Sequence, residues 1–202
     1  DDQFICTGDT TDPVTIESAT ENATFSWEII TPWEGFIQNI INTSGDTNII
    51  PAEQLTLEEG ITEPFVIQYE ITPSAPAGEN DNNECLGTTY IYSVTVNPIT
   101  GVVPIEDIVV CVGDPVGPIE FESTVEAGTT TYEWEIIDGD GLSSGPDIGL
   151  TQTDFSSGFI NEFTSINGGS EPLVIEIEVT PTFSNGGVEC SPPTETFTIT
   201  VN

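Results

Sequence analysis

The sequence has no lysine, arginine or histidine in its 202 residues, whereas aspartate and glutamate together number 35. Every charged side chain is therefore negative, and the formal net charge is −35. Nucleic acids and phosphate groups are bound mainly by cationic side chains, so we expect neither as a ligand.

The chain also lacks the histidine and lysine that most often act as general bases or form Schiff bases. With 35 carboxylates, no particular pair is singled out for acid–base work. The composition predicts that the chain is not an enzyme and carries no cofactor.

Long apolar segments are missing as well. No run approaches the roughly eighteen apolar residues of a membrane span, so we expect no insertion into a bilayer. High net charge is one mark of disorder, but the other mark, low hydrophobicity, is not met, since 36% of the residues are hydrophobic. Residues 173–179 alternate apolar and acidic side chains in the pattern of a strand. We therefore expect a folded protein with an acidic surface.

The chain repeats itself once. Cys6 and Cys111 are 105 residues apart, and Trp27 and Trp134 are 107 apart. The blocks that recur in the same order are 4–9 with 109–114, 25–30 with 132–137, 63–67 with 171–175, 70–73 with 178–181, and 92–97 with 197–202. The spacing changes only between blocks, which indicates loops there. We predict two domains, 1–98 and 99–202, each of ordinary domain size.

Each copy has the pattern of an all-β domain. Apolar residues alternate with polar or acidic ones along the recurring blocks, and clusters of Gly, Pro, Asn and Asp separate them. About seven short strands in a hundred residues predict an Ig-like β-sandwich of two sheets. Trp27 and Trp134 lie in the apolar phase of their strands and are the expected core anchors. No helix is predicted, apart from one possible turn over residues 52–59.

Each copy contains two of the four cysteines. Cys6 and Cys85 are 79 residues apart, and Cys111 and Cys190 have the same spacing. The equal spacing predicts one disulfide per domain, Cys6–Cys85 and Cys111–Cys190, and with them an oxidising, extracellular or periplasmic setting. Four free thiols are the alternative. A zinc site is not expected, since there is no Cys-x-x-Cys pair and no histidine.

Two acidic loops contain the clustered carboxylates that calcium prefers. These weak candidates for Ca²⁺ ligands are Asp138 and Asp140 in one loop, and Glu79, Asp81 and Glu84 in the other. The first loop begins like an EF-hand but has Gly149 where the twelfth position requires glutamate. Neither cluster is present in both copies, so we interpret them as solvated loop acids and assign no metal ligands.

Two aromatic residues of the first copy, Trp33 and Phe36, fall in a segment with the composition of a loop. Aromatic side chains in loops can stack on sugars or fill the pocket of a partner protein. They can equally pack beneath their own sandwich. The second copy has no aromatic residue at this place, so the sequence leaves both interpretations open.

Several short motifs, taken in order, resemble a known family. In the second copy they are Cys111-Val112-Gly113-Asp114, Tyr132-Glu133-Trp134, Glu178-Val179-Thr180-Pro181, Cys190 and residues 196–202. Together they resemble the PKD-like repeats of very long Bacteroidetes surface proteins, which include gliding-motility adhesins of the SprB type. The resemblance implies an Ig-like sandwich, export to the cell surface and a place in a stalk or adhesive array. It implies no catalytic residues.

We therefore expect a disulfide-linked, acidic spacer within a long repetitive protein or filament at the bacterial cell surface. Its expected partners are neighbouring repeats of the same chain and, further, surface glycans or other cell-surface proteins. One alternative is a calcium- or carbohydrate-binding accessory module of a secreted enzyme. Another is the subunit of an extracellular fibre that assembles by strand exchange. Whichever of these roles applies, trypsin is expected not to cleave the chain, because lysine and arginine are absent.

Overall fold

The computed structural model describes residues 1–75, 85–99, 101–125, 127–137, 143–191 and 193–202. The chain divides into two compact units. The first comprises Asp1–Pro98, with the short segment Gly186–Val188 assigned to it, and the second comprises Ile99–Asn185 and Glu189–Asn202.

The first unit is built of strands. They are β1 (Gln3–Cys6), β2 (Val14–Thr15), β3 (Thr24–Ile29), β4 (Ser44–Gly45), β5 (Ile49–Ile50), β6 (Phe65–Ala75), β7 (Cys85–Leu86) and β8 (Tyr90–Asn97). The main sheet has the order β1-β8-β6-β3-β4, and β7 also pairs with β6. The short strands β2 and β5 form a separate ladder.

The second unit forms the same kind of sheet. Its elements are β9 (Ile108–Val110), β10 (Pro115–Val116), β11 (Ile119–Glu120), β12 (Thr129–Ile137), α1 (Gly145–Ile148), β13 (Phe159–Ile160), β14 (Phe163–Thr164), β15 (Leu173–Asn185), β16 (Val188–Cys190) and β17 (Glu195–Val201). The main sheet has the order β12-β15-β17-β9, and β16 also pairs with β15. Two small ladders, β10 with β14 and β11 with β13, lie outside it.

Strand direction is the same in the two main sheets. The first strand pairs in parallel with the last long strand, β1 with β8 and β9 with β17. The other long pairs, β3 with β6, β6 with β8, β12 with β15 and β15 with β17, are antiparallel. A hydrophobic core lies between each main sheet and a second layer of short strands and loops. The predicted all-β fold with two sandwich-like units is confirmed.

The alternation of side chains along the central strands determines which face of each sheet is buried. In β6, Ile67, Tyr69 and Ile71 are buried, whereas Gln68 between them is exposed. In β15 the buried residues are likewise every second one, including Ile175, Ile177, Val179 and Phe183. Because successive strand residues point to opposite faces, this period of two places all of them on the core side. Trp27 and Trp134 are only 4% and 2% exposed, which confirms both predicted core anchors.

Residues 52–59 do not form the helical turn that the sequence allowed. Glu53, Leu55 and Leu57 are all buried, whereas Gln54 is exposed. This alternation is that of an extended segment, and Gln54 forms a β-bridge with Thr10. The segment thus supplies part of the second layer of the sandwich, which a helical turn would not do.

The helix α1, which the sequence pattern does not predict, is a single turn of four residues. Its start is held by Asp147, whose carboxylate accepts hydrogen bonds from the hydroxyl of Ser144 at 2.7 Å and from its backbone N–H at 3.0 Å. These bonds lower the pKa of Asp147, because they favour its charged form. None of the described helices is long and apolar enough to cross a membrane.

Candidate functional site: the terminal strand pair

The most regular feature shared by the two units is the terminal strand pair, by which we mean β1 with β8 and β9 with β17. In the first unit, Ile5 pairs with Val96 and Cys6 with Asn97. The backbone N–H of Thr7 then donates to the carbonyl of Asn97 at 2.8 Å, so the pairing continues past the end of β1. The first strand of the unit is thereby joined along its length to the last.

The second unit repeats these contacts. Val110 pairs with Val201, and the N–H of Val112 donates to the carbonyl of Asn202 at 3.1 Å. The N–H of Asn202 in turn donates to the carbonyl of Val110 at 3.0 Å. Both units therefore close their sheets with the same parallel arrangement.

An aspartate just before the first strand adds a hydrogen bond to each terminal strand pair. The Asp2 carboxylate accepts from the backbone N–H of Ser93 at 2.9 Å, and the Asp107 carboxylate accepts from the N–H of Thr198 at 2.8 Å. The bonds from Thr198, first from its backbone and then from its side chain, lower the pKa of Asp107. Asp2 and Asp107 are not among the residues predicted from the sequence. The signal was present, since each lies four positions before the first cysteine of its copy.

The Cys-x-Gly-Asp motif forms a turn that ends the first strand. In the first unit the N–H of Asp9 donates to the carbonyl of Cys6 at 3.0 Å, and the Asp9 carboxylate accepts from the N–H of Cys6 at 3.2 Å. Asp114 and Cys111 make the same two bonds, both at 3.1 Å. The motif is thus used for backbone geometry in both units.

The predicted disulfide pairs are not the ones formed. Cys85 and Cys111 are free, exposed thiols, whereas Cys6 and Cys190 are disulfide-bonded. Neither Cys6–Cys85 nor Cys111–Cys190 is therefore present in the structure.

The strand register of the first unit explains this. Cys6 pairs with Asn97 at the end of the sheet where β6 begins, since Phe65 pairs with Val96. Cys85 pairs with Ala75, the last residue of β6. The ten residue steps from Phe65 to Ala75 span about 33 Å at roughly 3.3 Å per residue. A disulfide needs its two Cα atoms within about 7 Å, so Cys6 and Cys85 cannot bond to each other in this sheet.

The second unit separates its cysteines in the same way. Cys111 directly follows Val110, which pairs with Val201, and Val201 also pairs with Leu173 at the start of β15. Cys190 lies in β16, which pairs with β15 and is joined to its other end by two residues. The separation is again about 30 Å at the usual rise per residue. The equal spacing of 79 residues thus follows from the duplication of the domain and not from a bond within it.

The two buried tryptophans line open, acidic grooves, but they contribute little surface to them. The groove of the second unit is lined by Glu133, Trp134, Glu135, Ile136, Thr153, Asp154, Phe155, Ser156 and Thr180. The Trp134 ring is almost fully buried and meets Phe155 edge-on, with 4.7 Å between ring centroids. Its Nε1 has no hydrogen-bond partner and no access to solvent. A buried ring cannot serve as a stacking platform for a sugar, so Trp134 acts here as a packing residue.

In the first unit, Trp27 packs against Tyr69 with 6.1 Å between ring centroids. Burial and, to a smaller extent, the charge of Glu53 raise the pKa of Tyr69 to about 12. Glu53 is itself buried, and its carboxylate accepts hydrogen bonds from both the backbone and the side-chain amide of Asn42. These polar contacts connect the second layer to the loop before β4 and have a structural role.

The two loop aromatics behave differently from each other. Trp33 is half-buried and packs against the core of the first unit. Phe36 remains 43% exposed and stacks on Phe65, with 4.6 Å between centroids and 12° between ring planes. Trp33 therefore packs beneath its own sandwich, whereas Phe36 keeps an open face.

The weak calcium candidates Asp138, Asp140, Glu79, Asp81 and Glu84 all lie outside the described residues. Within the part of the chain that the structure describes, no group of three or more acidic or cysteine side chains could hold a metal ion.

Comparison with known proteins gives a family match over the first unit. Residues 3–100 match the family model of the PKD-like domain. No curated protein matches the sequence. Among solved structures, the chain is similar to human mucin-like protocadherin EC1-2, with 13% identity, a TM-score of 0.43 and coverage of 100% of this chain and 95% of that one. It is also similar to human CDH23 EC21-23, with 13% identity, a TM-score of 0.45 and coverage of 99% and 72%.

Proposed function

We propose that this chain is a load-bearing spacer segment of a long, repetitive surface protein outside the bacterial cell, where it holds adhesive parts away from the membrane. The observation that carries the proposal is the parallel pairing of the first and last long strands in both units. The match of residues 3–100 to a PKD-like domain supports an extracellular structural role. The motifs that recur in both units also support a structural role, because they form turns and pack the core.

Strand direction determines how the first unit resists tension. Tension on the two ends of the first unit pulls β1 backwards and β8 forwards along the same axis. Because the strands are parallel, this force loads their hydrogen bonds together instead of opening them one after another. The Asp2 bond to Ser93 and the Thr7 bond to Asn97 lie on the same pair and share the load. In the second unit, the Asp107 carboxylate accepts the equivalent bond from Thr198, and the N–H of Val112 donates to Asn202.

The uniformly negative charge of the side chains also supports the proposed spacer role. With a net charge of −35 and no cation in the sequence, neighbouring copies repel one another at every orientation. Such repulsion keeps a string of domains extended and prevents neighbouring strings from associating. The absence of lysine and arginine also leaves nothing for trypsin-like proteases to cleave, which favours survival outside the cell.

Single-molecule force spectroscopy tests the proposal. The chain is pulled from its two termini in a reducing buffer, so that hydrogen bonds and not disulfides carry the load. The expected result is two unfolding events at high force, one for each unit.

The matched control pulls the first unit between Gly60 and Pro98. These positions flank β6 and β8, which are antiparallel and have Phe65 opposite Val96 at the pulled end. The force then opens the β6–β8 bonds one at a time, and unfolding is expected at clearly lower force. Equal forces in the two geometries would contradict a load-bearing role.

A further inference from the structure

The four cysteines fall into two positional classes. Cys6 and Cys111 lie at what we call the closing end of their units, where the last long strand ends. Cys85 and Cys190 lie at the opening end, where that strand begins. Each unit therefore has one cysteine at each end of its main sheet, about 30 Å apart at the usual rise per strand residue.

The chemical state of the cysteines differs within each class. At the closing end, Cys6 is disulfide-bonded and Cys111 is a free, exposed thiol. At the opening end, Cys190 is disulfide-bonded and Cys85 is a free, exposed thiol. Each free thiol thus has an equivalent in the other unit that does form a disulfide. Both positions are therefore compatible with a bond, and the geometry of the sheet excludes one within the same unit.

We propose that Cys85 and Cys111 are attachment sites for disulfides to further copies of this repeat, with a closing-end cysteine bonding to an opening-end cysteine. The inference rests on the proposed function, in which such repeats follow one another in a longer chain. The pairing of unlike ends is favoured by the course of the chain. The polypeptide leaves the first unit directly after Asn97, which pairs with Cys6, so Cys6 lies at the end of its own sheet from which the chain continues.

The bond-forming step is an ordinary thiol–disulfide exchange. A thiolate of one copy attacks a small disulfide oxidant, such as glutathione disulfide, and forms a mixed disulfide while one thiolate leaves. The thiolate of the second copy then attacks this mixed disulfide and displaces the other half of the oxidant. The two copies together lose two protons and two electrons, and the oxidant is reduced to two thiols. An oxidising compartment outside the cytosol favours the product.

Oxidation of the purified chain tests the inference, with a second copy of the same chain as the partner. The reaction is run in a glutathione redox buffer at high salt, because salt screens the repulsion between copies. On a non-reducing gel we expect a ladder of multimers that collapses to monomer when reductant is added. The absence of any ladder would overturn the inference.

Two single variants distinguish specific from random oxidation. Cys85→Ser keeps only the closing-end thiol and Cys111→Ser only the opening-end thiol, so each alone is expected to remain monomeric. A mixture of the two variants is expected to form a dimer and nothing larger. Dimers formed by either variant alone would show pairing of like ends and would contradict the inference.

Two further measurements complete the test. Because both thiols are exposed, circular dichroism is expected to show the same thermal unfolding for the variants and the parent chain. Mass spectrometry after digestion at acidic and aromatic residues locates the cross-link, which is expected between Cys85 and Cys111. The force experiment above is performed on reduced protein, so it measures the spacer role independently of these bonds.

Discussion

The backbone of Gly45 lies against the indole ring of Trp27 across the β3–β4 pair. The two residues are register partners, and a Cβ atom added to Gly45 would stand 2.6 Å from Cζ2 of Trp27. No real Cβ contact is that short, so a side chain at position 45 requires the tryptophan or the strand to move. In the second unit, Phe155 contacts the equivalent Trp134 instead. The two units thus share the buried indole but cover it differently.

Gly45→Ala is expected to destabilise the first unit by about 1–3 kcal/mol, the usual cost of overpacking a core. Urea unfolding followed by tryptophan fluorescence measures the change. Gly168→Ala in the second unit is the control for the glycine-to-alanine change itself, since a Cβ at Gly168 would meet no heavy atom within 4 Å. A loss of stability as large in the control as in Gly45→Ala would show that the contact with Trp27 is not the cause.

Asp107→Asn tests the aspartate that supports the terminal strand pair of the second unit. Hydrogen bonds from Thr198 lower the pKa of Asp107 below its ordinary value of 3.8, so the folded state prefers the carboxylate. A group whose pKa is lowered by folding stabilises the protein above its unfolded-state pKa, and this contribution is lost as the pH falls through the folded-state value. The variant is therefore expected to be less stable than the parent at pH 7, with the difference shrinking toward pH 3.

Removal of any carboxylate also lowers the net charge, and a control must separate that effect. Glu162→Gln removes one charge from an exposed residue of the same unit. Since every charge in the chain has the same sign, this variant is expected to be as stable as the parent or slightly more stable. Chemical unfolding of all three proteins from pH 3 to pH 7 gives the comparison. An Asp107→Asn curve that follows the Glu162→Gln curve would contradict a role for the Thr198 bonds.

The fold could be predicted from the sequence because its main signal is local. Alternation along residues such as Ile175, Glu176 and Ile177 indicates a strand and its buried face without knowledge of the partner strands. The burial of Trp27 and Trp134 follows from the same phase. Residues 52–59 contain the same alternation. However, Leu55 and Leu57 lie among acidic residues that are also common in helices, so the sequence allowed a helical turn there.

The cysteine pairing could not be predicted, because it depends on strand direction. Cys6 and Cys85 lie near the first and last strands of one copy, and an antiparallel pairing of these strands would place both residues at one end of the sheet. The parallel pairing of β1 with β8 places them at opposite ends. Sequence spacing is the same in both cases, so only the register distinguishes them.

Salt is expected to stabilise this protein to an unusual degree. In most proteins, screening weakens attractions as well as repulsions, but here every interaction between charged side chains is repulsive. The Debye length falls from about 10 Å at 0.1 M to about 3 Å at 1 M salt, so the melting temperature is expected to rise steadily over this range. Differential scanning calorimetry in sodium chloride measures it.

Calcium and magnesium distinguish general screening from a dedicated ion site. At equal low concentrations in constant sodium chloride, the two ions are expected to raise the melting temperature equally, because solvated loop acids do not select between them. Stabilisation by calcium that magnesium does not reproduce would favour the calcium-binding module over the spacer. A titration by calorimetry would then give the number of ions per chain.

The turn of the Cys-x-Gly-Asp motif is expected to require glycine in both units. Gly8 and Gly113 have backbone φ angles of 89° and 92°, a conformation that residues with a side chain rarely adopt. A Cβ atom at either position would meet no heavy atom within 4 Å, so any cost of substitution comes from the backbone and not from a clash. Gly8→Ala and Gly113→Ala are therefore expected to destabilise their units by about 1–2 kcal/mol each. Urea unfolding measures both, with Gly168→Ala again as the control. If the substitutions have no effect, the turn can change its conformation without cost. The hydrogen bonds of Asp9 with Cys6 and of Asp114 with Cys111 would then not fix the end of the first strand.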